Sequence, residues 1–223
     1  MKVTRSIEVS YKHTNDAGVA QKWLNDTPNL IAADLETAIR YSEEEVTQAK
    51  LDAANEELSK ADRIAATAIA NATPLNHPYH CTITHCSIAT SEKDGLVFII
   101  DNQDIADVVF DYLTTTEATQ VWHNYSYDGR FIKYYGGGYP KNLQDSQILA
   151  KTLLNNVEVF KARTGLKDLA GGWYGDWGID SDNFTLAQQY DEKVLKYAAT
   201  DACATYKLWE YLNVFIADEF AKE

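Results

Sequence analysis

The chain has 223 residues, 45% hydrophobic and 24% charged, values of an ordinary globular protein with enough length for a full core, so wholesale disorder is excluded. A formal net charge of −13 argues against a protein that coats nucleic acid by long-range attraction, while an enzyme gripping a few nucleotides at a metal-loaded cleft stays open. No apolar run approaches the roughly 20 residues of a membrane span, Met1 to Arg5 lead into no signal-peptide core, and Cys81, Cys86 and Cys203 suit free thiols in a reducing compartment. A cytoplasmic location, or a host's cytoplasm for a viral protein, and no membrane partner are therefore expected.

In chain order, the pattern over residues 5–11 predicts an edge strand. Asp16 to Asn25 reads as a helix with Val19, Ala20, Trp23 and Leu24 on one side. After the Pro28-Asn29 breaker, Leu30, Ile31, Ala32 and Ala33 form a short apolar run suited to a buried central strand. That strand delivers Asp34 and Glu36 two positions apart, hence on one face. Carboxylates so placed repel each other unless a cation lies between them, which is the shape of a Mg²⁺ or Mn²⁺ site. Alone, Asp-x-Glu is common and equally suits a strand end running into solvent.

Ser42-Glu43-Glu44-Glu45 has the capping-box pattern and opens a stretch expected to be one helix from Glu43 to Ala70, on the order of 40 Å long. Leu51, Ala54, Leu58, Ala61, Ala65 and Ala68 would be its apolar seam, suited to packing on the core, a second copy or a partner, with a solvated helix lying on its own domain as the alternative, and Asn71 to Pro74 would end it. Strands follow at 80–90 and 95–101, with Asp94-Gly95 supplying a hairpin turn. His77, His80, Cys81, His85 and Cys86 invite a zinc reading. It fails on spacing, because Cys81 and His85 on one strand would stand about 13 Å apart.

Further on, Gln103 to Leu113 reads as a helix, Gln120 to Trp122 as a strand, Tyr125 to Tyr135 as a helix and the neighbourhood of Leu143 as a strand. A helix from Ser146 to Leu154, a Gly-rich crossing at Gly171 to Gly178 and helices over Thr185 to Lys196 and Ala198 to Phe220 complete the chain. The expected fold class is α/β, a mixed sheet flanked by helices, in a single domain over residues 1–223 with a helical insertion at 38–79.

Two later segments carry the same chemistry as Asp34 and Glu36. In Val121-Trp122-His123-Asn124-Tyr125-Ser126-Tyr127-Asp128 a strand passes into a helix, with Asp128 in the first helical turn. In Tyr197-Ala198-Ala199-Thr200-Asp201 the i to i+4 spacing stacks the phenol over the carboxylate. Four carboxylates and a phenol can thus converge.

On these segments the chain resembles the DEDD superfamily of 3′–5′ exonucleases, of ribonuclease H-like fold. The His-type variant would need His where Lys196 stands, so the resemblance is to the Tyr-type subgroup. It extends to the proofreading domain of family A DNA polymerases through His123 to Asp128, Gln144 to Ala150 and Gly165 to Ala170, and Trp122 to Ser126 are especially similar to the plant and protist organellar branch and to phage relatives. The chain departs from that family in its insertion after the first motif strand and in ending soon after the third motif, with no polymerase domain. A free-standing exonuclease, one piece of a split polymerase and an excised fragment are the expectations this leaves.

The resemblance implies hydrolysis of the 3′-terminal phosphodiester of DNA, releasing nucleoside 5′-monophosphates with two divalent ions, Mg²⁺ or Mn²⁺. It implies Asp34, Glu36 and Asp201 on the ion holding the attacking water, Asp34 and Asp128 on the leaving-group ion, and Tyr197 orienting the water. Leu35, Thr37, His123 and Asn124 are the implied contacts to the terminal nucleotide. The implied partners are a single-stranded DNA 3′ end and, as a further candidate, a separate polymerase subunit. A ribonuclease-D-like RNA exonuclease shares the Tyr-type chemistry. An inert module recruiting a partner through its long helix is the third reading, and retention of all four carboxylates and the Tyr speaks against it. With few basic residues near the motifs, weak and distributive digestion with a shallow salt dependence is expected.

Overall fold

The structure is a computed structural model that describes residues 6–72, 78–154, 163–178 and 186–220. Pro74, His77 and Thr185, to which the sequence reading gave places, lie outside the described residues. Six strands form one mixed sheet: β1 (Ser10–Thr14), β2 (Leu30–Ile39), β3 (Cys81–Ala89), β4 (Asp94–Ile99), β5 (Thr119–Trp122) and β6 (Asn142–Asp145). Their order is β1-β4-β3-β2-β5-β6. The β1/β4, β2/β5 and β5/β6 pairs are parallel, and β3 runs antiparallel to both neighbours. This is the ribonuclease H-like mixed sheet flanked by helices that the sequence led us to expect.

Strand alternation divides the core into two layers. Ile31, Ala33 and Leu35 of β2 pack with Leu24 of α1 (Ala17–Asn25), Val109 of α4 (Gln103–Thr115) and Phe131 of α5 (Tyr125–Gly136). Ala32 faces the other way, with Ala170 of α7 (Leu166–Tyr174) and Leu195, Ala198 and Ala202 of α8 (Glu192–Phe220). Asp34 and Glu36 share the parity of Ala32, so the strand that buries its odd residues under α5 offers its carboxylates to α8. A third cluster joins Ala150 of α6 (Ser146–Leu154) to Leu208 and Leu212 of α8. The three cysteines are buried, and no disulfide joins them.

Several elements differ from the sequence reading. The first strand is Ser10–Thr14, not 5–11, and it pairs in parallel with β4 at the sheet edge. Ahead of it, the Ile7 amide donates to the Trp173 carbonyl at 2.7 Å, which docks that segment on α7. The stretch from Glu43 to Ala70 is two helices, α2 (Glu43–Ala54) and α3 (Lys60–Ala70), packed on each other. Ser42 and Glu45 form the expected capping box. The break comes from a second cap, because the Ser59 hydroxyl accepts from the Asp62 amide and the Asn55 side chain accepts from Glu57.

The expected seam is also wrong. Leu51, Ala54, Ala61, Ala65 and Ala68 are exposed, and Ala49 and Ala66 are the residues buried where the two helices meet. Asp94 and Gly95 are not turn residues but the start of β4. The turn is held by the Ser91 hydroxyl, which accepts from the amides of Lys93 and Asp94. Gly95 serves a close approach, since a Cβ there would stand 3.1 Å from the Cβ of Ala199 on α8. Gly171 and Gly172 lie inside α7 rather than in a crossing, and that helix stops at Gly175, whose φ is +75°. Finally, the two C-terminal helices are one, 29 residues long, preceded by a single 3₁₀ turn at Leu186–Gln188. Among the described residues no helix is long and apolar enough to cross a membrane.

Candidate active site

Each acidic residue is delivered by an element whose other face is sunk in the core. On β2, the register slips between Glu36, opposite His85, and Thr37, opposite Ile83, which leaves Thr84 as an extra residue on β3. Its hydroxyl donates to the Glu36 carbonyl at 3.1 Å and its carbonyl accepts from the Ile100 amide at 2.8 Å. A bulge of this kind bends the strand pair and re-aims the side chains beside it.

Asp128 comes from the first turn of α5. Asn124 at the helix start has φ 65° and ψ 50°, the one non-glycine residue with positive φ among the described residues, and its side chain makes no cap bond. Asp145 performs that task from β6. Its carboxylate accepts from the amides of Asn124 and Tyr125 at 3.3 and 2.9 Å and from those of Gln147 and Ile148 at 2.8 and 3.1 Å. One side chain thereby caps the N-termini of both α5 and α6, where negative charge is favoured.

The third contribution is α8, with Tyr197 and Asp201 one turn apart. Asp34, Leu35, Glu36, His123, Asn124, Tyr127, Asp128, Tyr197 and Asp201 line a cavity of about 200 Å³. Of the residues singled out in the sequence, Thr37 alone is not on that wall, and its hydroxyl bonds the Tyr127 hydroxyl at 2.6 Å. His123 is held at both ring nitrogens, by the Ser146 hydroxyl and by the Thr164 carbonyl, each at 2.9 Å. The imidazole can therefore wall the cavity, but its nitrogens are already used.

Asp34, Glu36 and Asp201 each offer an oxygen to a group spanning no more than 4.8 Å. Burial, then the charges of Glu36, Asp128 and Asp201, push the Asp34 carboxyl well above the carboxylate range. Burial and Asp201 do the same to Glu36, and burial raises Asp201. Asp128 is pushed up to about 8, chiefly by burial. Glu36 Oε1 and Asp128 Oδ1 are buried with no hydrogen-bond partner. Crowded carboxylates with orphaned oxygens are what a hard divalent cation satisfies, so the residues present fit such an ion. His77 of the zinc reading lies outside the described residues, and the candidate metal group among the described residues is made of the carboxylates of Asp34, Glu36 and Asp201. Burial pushes His85 down to about 4, and its Nε2 bonds the Gln189 carbonyl at 2.7 Å.

Two residues with no assigned part in the sequence reading meet the cluster. Lys167 of α7 donates to the Tyr197 hydroxyl at 2.8 Å, its ammonium 4.4 Å from the ring centroid. The Trp177 indole N–H donates to Asp201 Oδ1. Burial and the nearby carboxylates push the Tyr197 phenol far up, so it stays protonated at neutral pH. With its oxygen taken by an ammonium donor, the phenol's own hydrogen is left to point at the acidic cluster.

Comparison with known proteins places this geometry. A family model described as 3′–5′ exonuclease matches residues 46–216, which hold Asp128, Tyr197 and Asp201, while Asp34 and Glu36 lie ahead of the match. No curated protein matches the chain in sequence. Among solved structures, NrnC of Brucella melitensis is similar at a TM-score of 0.59 and 15% identity, over 96% of this chain and 83% of that one. The RNase D of Trypanosoma brucei, in a GMP complex, is similar at 0.62 and 14%, over 91% of this chain and 56% of that one. Escherichia coli RNase D is similar at 0.57 and 17%, over 92% and 45%. The chain spans about half the length of these two RNase D chains.

Proposed function

Since the chain belongs to the 3′–5′ exonuclease family, and within it to the DEDD type, we propose that it hydrolyses the 3′-terminal phosphodiester of single-stranded DNA and releases nucleoside 5′-monophosphates. The observation that carries this reading is the convergence of Asp34, Glu36, Asp128, Asp201 and Tyr197 on one cavity, two of whose buried carboxylate oxygens have no partner.

Asp34, Glu36 and Asp201 would hold one Mg²⁺ or Mn²⁺ ion, and Asp34 with Asp128 a second. Divalent ions, when bound, neutralise the crowded carboxylates, make water a stronger nucleophile and stabilise charge on the attacking and leaving oxygens. Tyr197 keeps its proton and, held by Lys167, aims one hydrogen bond at the attacking water. Asp201 is held in turn by Trp177. Asn124 and Tyr127 on the cavity wall flank the terminal sugar and phosphate, Thr37 acts through its hydrogen bond to the Tyr127 hydroxyl, and Leu35, its side chain buried under α5, closes the cavity from β2 beside the terminal base.

The leaning to DNA, and to a separate polymerase as partner, is supported by the likeness of residues 123–128, 144–150 and 165–170 to proofreading domains. A second reading, an RNA exonuclease, is favoured by the similarity in fold to NrnC and RNase D. One experiment tests both. Oligonucleotides of DNA and RNA, 5′-labelled, single-stranded and duplex, are incubated with the protein in Mg²⁺, Mn²⁺ or EDTA. A metal-dependent ladder shortening from the 3′ end, faster on single-stranded DNA, is expected. Degradation of RNA alone would establish the second reading, and absence of any metal-dependent ladder would overturn both.

A further inference from the structure

We propose that a hollow on the outer face of α5 binds the unpaired strand on the 5′ side of the scissile bond, through tyrosine faces for the bases and two cations for the phosphates. The proposal rests on the exonuclease reading and assigns that reading a second subsite. The hollow has a volume of about 610 Å³, and Tyr125, Arg130, Lys133, Tyr134 and Tyr139 line it. Positions 126, 130, 133 and 134 recur at helical spacing, so one face of the helix supplies most of the wall.

Its floor is Gly129. A Cβ there would stand 2.7 Å from the Tyr125 ring, so the missing side chain lets that ring lie back on the helix. Tyr134 and Tyr139 are 42% and 58% exposed, and exposed Tyr79 meets Tyr134 edge-on at 4.8 Å between centroids. A cluster of aromatic faces left in water marks a contact surface.

What would cover it follows from charge and continuity. In a chain of net charge −13, this face sets the Lys133 ammonium 5.1 Å from the centroid of the Tyr139 ring and the Arg130 guanidinium 5.4 Å from that of Tyr127. Tyr127 also lines the catalytic cavity, so Arg130 stands between the two spaces. Ser126, on the hollow, donates to Asn124 Oδ1 at 2.8 Å, and Asn124 lines the cavity. A strand whose 3′ end lies among the carboxylates therefore meets cations and ring faces as it leaves. Ring faces accept bases that are unstacked, which selects an unpaired strand over a duplex.

The test uses the full chain and two readouts. In Ca²⁺, fluorescence anisotropy measures binding of 5′-fluorescein dT₁₀, the same strand in a duplex, and rA₁₀. In Mg²⁺, kcat/KM is compared for a thymidine decamer and a dinucleotide. The Tyr134→Ala/Tyr139→Ala variant should bind dT₁₀ about tenfold or more weakly, and the advantage of decamer over dinucleotide should shrink by a similar factor. Tyr134→Phe/Tyr139→Phe, which keeps the ring faces, should restore both. Arg130→Gln should flatten the dependence of binding on salt, by a slope of about 0.7 for each phosphate no longer neutralised. Unchanged decamer affinity in the alanine variant, equal losses on decamer and dinucleotide, or tighter binding of duplex than of single strand would each overturn the proposal. If the wild type cleaves nothing while ring-dependent binding persists, the exonuclease reading fails and the hollow stands as a binding site.

Discussion

The catalytic cavity and the arm formed by α2 and α3 are built on opposite terms. In the cavity four carboxylates are carried by β2, the first turn of α5 and α8, elements whose apolar faces are buried in two core layers, and the packing holds charges that would otherwise separate. The arm has no such anchorage. Its helices of 12 and 11 residues are capped by their own Ser42 and Ser59, bury one alanine each, and leave Leu51 and Ile64 63% and 60% exposed. The difference teaches that strain is confined where the core can oppose it, and that the arm's stability is local. Substitutions should therefore separate activity from stability at the cavity and affect neither strongly in the arm.

The largest effect is expected from Asp34→Ala or Asp201→Ala. Losing a ligand should remove roughly a thousandfold or more of single-turnover rate at saturating Mg²⁺, at about 1.36 kcal/mol per decade. Both variants should remain folded, and Asp34→Ala should melt, metal-free, no lower than wild type, because a repelling carboxylate has gone. A lowered metal-free melting temperature would show that the carboxylates hold the fold together.

Tyr197→Phe should cost less, roughly ten- to a hundredfold, since the metal ligands remain and a positioning hydrogen bond is lost. Lys167→Met should fall short of it and add nothing in the Tyr197→Phe background, because the ammonium acts through the phenol oxygen. Additive losses in the double variant would give Lys167 a separate task.

Stability should depend on pH in a way the arm cannot produce. Asp128 in the folded state is pushed up to about 8, above its unfolded value near 4. The folded chain thus holds a proton that the unfolded chain has released, and stability falls as pH rises from about 4 towards 8. His85, lowered to about 4, runs the other way, its contribution being lost as pH falls below about 6.5. Comparing wild type with Asp128→Asn in EDTA isolates the carboxylate: the gap in melting temperature should widen in favour of the variant up to pH 8. Added Mn²⁺ should close it. A gap independent of pH would refute the raised carboxyl.

The smallest effect should follow deletion of residues 42–74 with a short Gly-Ser turn in their place. Melting temperature should change by less than about 4 °C, and the dinucleotide rate should hold within about twofold. Collapse of the fold would show that the arm belongs to the domain's core.

The site segments were legible because each is compact. Leu30 to Ala33 announce a buried strand whose parity fixes the face of Asp34 and Glu36, and Tyr197 and Asp201 declare a helical turn by spacing alone. Other features resist sequence reading for stated reasons. Glu56, Glu57 and Leu58 favour helix, so the break between α2 and α3 rests on Ser59 and Asp62, a cap pattern easily passed over inside a helical run. Gly171 and Gly172 disfavour helix by about 1 kcal/mol each, yet Ala170 and Tyr174 are buried against α8 and hold α7 in place. Lys167 and Trp177 reach Tyr197 and Asp201 across 30 and 24 residues, a separation on which periodicity is silent.

The contact of Gly95 with Ala199 works as a thickness gauge. Ala199 lies on α8 between Tyr197 and Asp201, so the missing methyl on β4 sets how near that helix comes to the sheet and how far Asp201 stands from Asp34 and Glu36. Gly95→Ala would place a Cβ 3.1 Å from that of Ala199 and lift the helix by a fraction of an ångström. Oxygen distances to Mg²⁺ are about 2.0 to 2.1 Å and to Ca²⁺ about 2.3 to 2.6 Å, a difference of the same order. One methyl group on β4, under α8 on the face that carries the carboxylates, should therefore retune which ionic radius the cavity accepts. The ratio of Mn²⁺- to Mg²⁺-supported cleavage should rise in Gly95→Ala, and an unchanged ratio would mean that β2 and α5 set the aperture without α8.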